Sequence, residues 1–127
     1  MSPKSSILIG NFANTQYSHR STVIGNSNQA IDSSEATMLG YNNYAYNADN
    51  SVAIGVNNNV KRKGVAIGYH NTGTDIDITI GFENNTNTSC RSIVIGTCSE
   101  SVGVENIVLG TNNISNNEQT ILIGRNI

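Results

Sequence analysis

The sequence predicts an all-β chain that winds into a parallel β-solenoid of about nine short coils. A five-residue motif ending in glycine, such as the SVAIG at 51–55, occurs nine times, and successive glycines are 13 to 15 residues apart. Such short, regular self-similarity indicates a repeat architecture. No window of ten or more residues has the three-and-four apolar spacing of a helix, and a coil of this length has no room for a crossover helix.

The composition fits one small non-enzymatic domain. The chain has 127 residues, so 1–127 is predicted to be a single repeat domain with repeats over about 5–124. Only 13% of residues are charged and the net charge is −2, which disfavours nucleic acid as a partner. No apolar run is long enough for membrane insertion, and the first residues lack the pattern of a secretion signal. The 21 asparagines raise the alternative of a disordered tract, but the strict apolar register argues against it.

The residue just before each glycine is predicted to lie in the core of the chain, because this column holds only isoleucine or leucine. The residue three before each glycine is always β-branched, and alternation in a strand puts both columns on one face. The predicted core column is Ile9, Ile24, Leu39, Ile54, Ile67, Ile80, Ile95, Leu109 and Ile123.

The glycines themselves are predicted to end each strand at a turn. Their presence in every copy indicates either a positive φ or the close approach of another backbone. They are Gly10, Gly25, Gly40, Gly55, Gly68, Gly81, Gly96, Gly110 and Gly124. Asparagine usually stands three residues later, where stacked copies are expected to form a hydrogen-bonded ladder. A small or β-branched residue five after the glycine is expected to point inward from a short second strand.

The middle column of the motif, two before the glycine, is predicted to face away from the core and to form a subunit interface. Eight of its nine residues are apolar, and soluble monomers rarely expose such a stripe. The alternative is a strand buried on both sides within one subunit. The predicted interface residues are Leu8, Val23, Met38, Ala53, Ala66, Val94, Val108 and Leu122, with Thr79 as the polar member of the column. A closed ring of identical chains is the expected assembly.

The stretch NSVAIG at 50–55, followed by Asn58 and Val60, resembles the YadA-like head repeats of trimeric autotransporter adhesins. The resemblance covers nearly the whole repeat region and implies a left-handed parallel β-roll that assembles as a homotrimer, side by side or intertwined. It also implies adhesion to a host-surface glycan or protein receptor. The stalk and membrane anchor of that family are not recognisable in this sequence, and its members seldom contain cysteine.

These features predict the head of a trimeric attachment fibre or spike that needs no cofactor. A virion surface is the expected location, with an excised head fragment from a bacterial cell surface as the alternative. Two other functions stay open: a structural spacer or capsid component without a receptor, and an enzyme on a β-helix scaffold. The β-helical acyltransferases have a catalytic histidine, but their hexapeptide period is absent from this sequence. His70 is therefore expected to be a surface histidine, as is His19.

Six residues are candidates for surface binding. The aromatic ones are Tyr41, Tyr69 and Phe82, which share the position after the glycine; they would form either a glycan-binding strip or the seal of a subunit seam. The basic ones are Lys61, Arg62 and Lys63, the only basic run. Asp75 and Asp77 are weak candidates for a cation site, and Cys90 and Cys98 are expected to be free thiols.

Overall fold

The computed structural model describes residues 5–86 and 88–127, and every regular element in them is a β-strand. Each coil has one long strand, which ends one residue past the motif glycine except in β1, which ends one residue before it. These strands are β1 (Ile7–Ile9), β3 (Thr22–Asn26), β5 (Thr37–Tyr41), β7 (Val52–Val56), β9 (Val65–Tyr69), β11 (Ile78–Phe82), β12 (Ile93–Thr97), β14 (Ile107–Thr111) and β16 (Ile121–Arg125). The short second strands are β2 (Asn14–Gln16), β4 (Gln29–Ile31), β6 (Tyr44–Tyr46), β8 (Asn59–Val60), β10 (Thr72–Gly73), β13 (Glu100–Ser101) and β15 (Ile114–Ser115).

The predicted parallel β-solenoid is confirmed. The nine long strands form one sheet in the order β1-β3-β5-β7-β9-β11-β12-β14-β16, and five short strands form a second sheet in the order β10-β8-β6-β4-β2. Every pairing is parallel, and each glycine from Gly25 onward stands opposite the glycine of the next coil. Nine stacked strands enclose about eight turns. At about 4.8 Å per strand, the rod is about 38 Å long.

The glycine column is explained by both of the predicted causes together. Gly68, in the middle of the stack, has a φ of +122°, and a Cβ on it would lie 2.0 Å from the carbonyl oxygen of Gly81 in the next coil. The turn therefore requires a backbone conformation that suits glycine and leaves no space for a side chain.

The predicted asparagine ladder is also confirmed, and it is internal. Asn58 donates from Nδ2 to the carbonyl oxygens of Ile54 (3.0 Å) and Gly68 (3.0 Å), while its Oδ1 accepts from the backbone N–H of Asn71 (3.0 Å). Asn28, Asn43, Asn71, Asn84 and Asn113 make the same donor contacts, and all six are at most 1% exposed. Each side chain thus satisfies buried backbone groups within and between coils.

The prediction of which column faces the core is wrong. The middle column lies inside the chain: Val23, Met38, Ala53, Ala66, Thr79, Val94 and Val108 are fully buried. Fully buried side chains have no surface to present to another subunit, so they do not form an interface. The end-coil members are the exceptions, since Leu8 is exposed and Leu122 is half-buried.

The Ile/Leu column lies outside instead. Ile24, Leu39, Ile54, Ile67, Ile80 and Leu109 are half-buried, and Ile9, Ile95 and Ile123 are exposed. The β-branched column is half-buried or exposed in the same way. Register pairing still places these side chains one above another, as predicted, but on the outer surface of the long sheet.

The width of the coil explains this orientation. The inward residues of the second sheet are small, as expected; they include Ala30, Ala45, Val60 and Gly73, all buried. Ala30, Ala45 and Val60 form one core cluster with middle-column residues of the long sheet, which are Val23, Met38, Ala53 and Ala66. A coil of 13 to 15 residues holds alanine, valine and threonine at close packing but has no room for two columns of isoleucine.

Candidate functional site

The long sheet has an apolar face on its surface, which we call the outer face. It consists of the Ile/Leu column and the β-branched column, side by side on the surface of the nine strands. Among its members Ile95 is 39%, Ile9 57% and Ile121 68% exposed. Apolar side chains of this size gain about 1.5–3 kcal/mol each when fully buried, so a face of two such columns favours association.

The predicted aromatic strip exists only in part. The rings of Tyr69 and Phe82 stack in neighbouring coils with centroids 5.0 Å apart and planes 12° apart. Tyr41 is separated from Tyr69 by Val56, which occupies the coil between them. All three aromatic side chains are exposed. The column follows the Ile/Leu column by two strand positions, which places it beside the outer face.

The three residues of the predicted basic run lie in different surroundings. Arg62 pairs with Asp75 of the next coil, with Nη1 3.0 Å from Oδ1. Lys61 is half-buried and Lys63 is exposed. The pairing leaves no cluster of three free cations, and it occupies the carboxylate of Asp75. Since Asp77 is fully buried, the two aspartates do not form the cation site considered above.

A shallow polar groove, which we call the amide groove, runs along the other side of the coil. Two adjoining cavities of about 750 Å³ and 480 Å³ form it, and both are lined by Asn59, His70 and Thr72. Lys61, Glu83 and Asn85 line the first cavity, and Asn42, Tyr44 and Asn57 line the second. Of these only Lys61 was predicted. The alternation of polar residues around the buried asparagine is the sequence signal that could have identified the others.

Asp77 is a buried carboxylic acid in a row where four of the nine coils have serine. Its Oδ1 accepts from the backbone N–H of Ser92 (2.7 Å), and its Oδ2 accepts from the hydroxyls of Ser89 (2.9 Å) and Thr74 (3.4 Å). Burial raises the pKa of this carboxyl, and the hydrogen bonds only partly oppose the shift. In the same row, Asn106 accepts from the N–H of Thr120 (2.9 Å), so an amide fits this position.

We expect Asp77 to make the fold less stable as the pH rises. A carboxyl with a raised pKa favours folding while protonated, so its contribution is complete below the ordinary aspartate pKa and is lost as the pH rises through the raised one. Denaturant unfolding at a series of pH values should show Asp77→Asn more stable than the wild type at pH values above the raised pKa of Asp77. The difference in stability should shrink as the pH falls through that pKa. A difference that is constant with pH would contradict the assignment.

The remaining candidate groups are the two cysteines. Cys90 and Cys98 are free thiols, as expected, and burial and the carboxylate of Glu83 raise the pKa of Cys98, which makes its thiol less reactive. Within residues 5–86 and 88–127, no three His, Cys, Asp or Glu side chains are grouped so as to hold a metal ion. The same residues contain no helix long and apolar enough to cross a membrane.

No protein-family model matches the chain, and no curated protein matches it.

Proposed function

We propose that the chain is the head domain of a homotrimeric attachment fibre or spike. In this proposal three rods pack through their outer faces and present their loops and second sheets to a host surface. The observation that carries it is the outer face, because this apolar surface extends along the whole stack and none of residues 5–86 and 88–127 fully covers it. The likeness to YadA-like head repeats supports the trimer and the adhesive role.

The proposed location is a virion surface, and the alternative is a bacterial cell surface from which this head is a fragment. Two free thiols in a repeat of this kind favour assembly in a reducing compartment, as for an intracellularly assembled virion. A receptor on the host surface, a glycan or a protein, would be the partner. In this role the domain is not an enzyme, and no nucleic acid or cofactor takes part.

The second candidate function is a structural spacer without a receptor. The unbroken glycine register favours it, since a regular stack gives a stiff rod whether or not its loops bind anything. Both candidate functions need the outer face to be covered by other subunits. They differ only in whether the domain binds a receptor.

Two measurements test the proposal. Sedimentation equilibrium should give a mass three times the 13.5 kDa of one chain. A folded monomer or a dimer would contradict the trimer. Fluorescently labelled trimer should then attach to host cells in a saturable way; a trimer that attaches to none of the cell types tested would favour the spacer.

A further inference from the structure

We propose that the amide groove binds a neutral, linear oligosaccharide laid along the axis of the rod. The inference rests on the proposed attachment function and names the ligand class and the surface that would serve it. The groove is bounded by two rows of side chains that belong to successive coils. The turn row is Asn42, Asn57, His70 and Glu83, and the strand row is Tyr44, Asn59, Thr72 and Asn85.

The two rows are fixed by the backbone of the solenoid. In the strand row, Tyr44 pairs with Asn59, Asn59 with Thr72, and Thr72 with Asn85, all in parallel register. In the turn row the φ angles are +53°, +56°, +56° and +53°, so each residue holds the same left-handed turn. The groove therefore repeats once per coil, at about 4.8 Å, and its four coils span about 14 Å. A repeating polymer is the kind of ligand that such a surface fits.

The groove is available to a ligand in the proposed trimer. The two sheets contribute to one core between them, so the strand row points away from the outer face. Within the groove, β6 and β8 are paired on both sides and Thr72 of β10 bridges to Asn85, so the groove itself offers no free strand edge to an extended peptide.

The hydrogen-bonding groups of the groove match sugar hydroxyls. Asparagine amides and the threonine hydroxyl can each both donate and accept, as hydroxyls do. Asn42 donates from Nδ2 to Oδ1 of Asn57 (2.8 Å), which orients the Asn57 amide. The amides and the threonine hydroxyl of the groove can therefore pair with the hydroxyls of a ligand.

Charge and aromatic surface narrow the ligand class. Lys61 and Glu83 have opposite charges that cancel within the groove, which therefore lacks the cluster of cations that a polyanion needs. Tyr44 is 36% exposed at one end of the groove, and its ring lies nearly parallel to that of Tyr46, with the planes 7° apart. An exposed aromatic ring held in this way provides an apolar surface for the C–H face of a sugar.

The test uses a glycan array of neutral hexose and N-acetylhexosamine oligomers, with sialylated and sulfated oligomers beside them, probed with the wild-type protein. Calorimetry with the strongest neutral ligand then compares Tyr44→Ala and Asn57→Ala with the wild type. Each variant should raise the Kd by about tenfold or more, because each removes one direct contact. Asn112→Ala is the matched control. Asn112 occupies the equivalent turn position of a coil outside the groove, and it too belongs to an amide pair, in which it donates to Asn126 (3.2 Å). Its Kd should stay within about twofold of the wild type.

Three results would overturn the proposal: no neutral oligomer bound, acidic oligomers bound exclusively, or equal affinity for wild type and both groove variants with circular dichroism showing all of them folded. Cell attachment measured in parallel separates this inference from the proposed function. Attachment without neutral-glycan binding would reject the groove and leave the attachment role standing. Binding of a neutral oligomer without attachment would support the groove and reject the attachment role.

Discussion

Gly68→Ala is expected to destabilise the protein severely. The added Cβ would lie 2.0 Å from the carbonyl oxygen and 3.0 Å from the carbonyl carbon of Gly81. Neither atom can move without separating two coils, and the φ of +122° is itself unfavourable for alanine. Because of the clash and the backbone strain together, we expect the free energy of unfolding to fall by about 4 kcal/mol or more. Chemical denaturation followed by far-ultraviolet circular dichroism measures it.

Gly124→Ala is the matched control, because the described atoms near its added Cβ include no backbone of another coil. There the added Cβ meets only the flexible end of Ile127, at 2.7 Å from Cδ1, while the φ of +152° is still positive. The substitution keeps a backbone penalty but lacks the clash between coils, so a loss of about 1 kcal/mol is expected. Equal losses for the two variants would show that backbone conformation, and not the stacking of coils, selects glycine.

Val94→Asp should unfold the chain, whereas Ile95→Asp should disrupt only the proposed assembly, although the two residues are adjacent. Val94 is fully buried, and its stacking neighbours in the same column are Thr79 and Val108. An aspartate there would have no charged partner, and we expect a loss of about 4 kcal/mol or more and an unfolded chain. Asp77 is tolerated in the interior because one N–H and several hydroxyls surround its carboxylate.

Ile95→Asp instead changes the outer face, where the native side chain is 39% exposed. Its charge can reach water in the isolated chain but would be buried between subunits, so the trimer should dissociate while the strands remain. Sedimentation and circular dichroism on both variants measure mass and fold together. A wild-type mass for Ile95→Asp would reject the outer face as the interface. Retention of a folded chain by Val94→Asp would reject the burial assignment.

Asn112→Asp serves as the control for both variants. It places the same charge on an exposed turn residue away from the outer face and the core. Its mass and its circular dichroism spectrum should match those of the wild type, since an exposed substitution of this kind usually changes stability by less than about 0.5 kcal/mol.

The repeat itself could be predicted from the sequence. The spacing of the glycines determines one coil per motif, and the β-branched column excludes helices, so the parallel stack and its register follow from the order of residues. The asparagine ladder was predictable for a similar reason, since an amide three residues after the glycine can donate to and accept from backbone groups of its own and the neighbouring coil at the same time.

The direction in which each column faces was not predicted correctly, because hydrophobicity was considered without volume. Isoleucine and leucine suggested a core, so alternation along the strand placed the middle column outside, and its apolar residues, Ala53 and Ala66 among them, were assigned to a subunit interface. The small residues five after the glycine already indicated a narrow interior. Applied to the long strand as well, the same argument assigns the alanines and valines to the core and the isoleucines to the surface.

The sequence by itself therefore determined the winding of the chain, because backbone constraints at glycine and asparagine are local and repeat with the motif. Only the tertiary structure decided which apolar column is covered by the chain and which lies on its surface, because that depends on how much volume two facing sheets enclose. It also brought together the amide groove and the surroundings of Asp77, whose members come from different coils and are adjacent only after stacking.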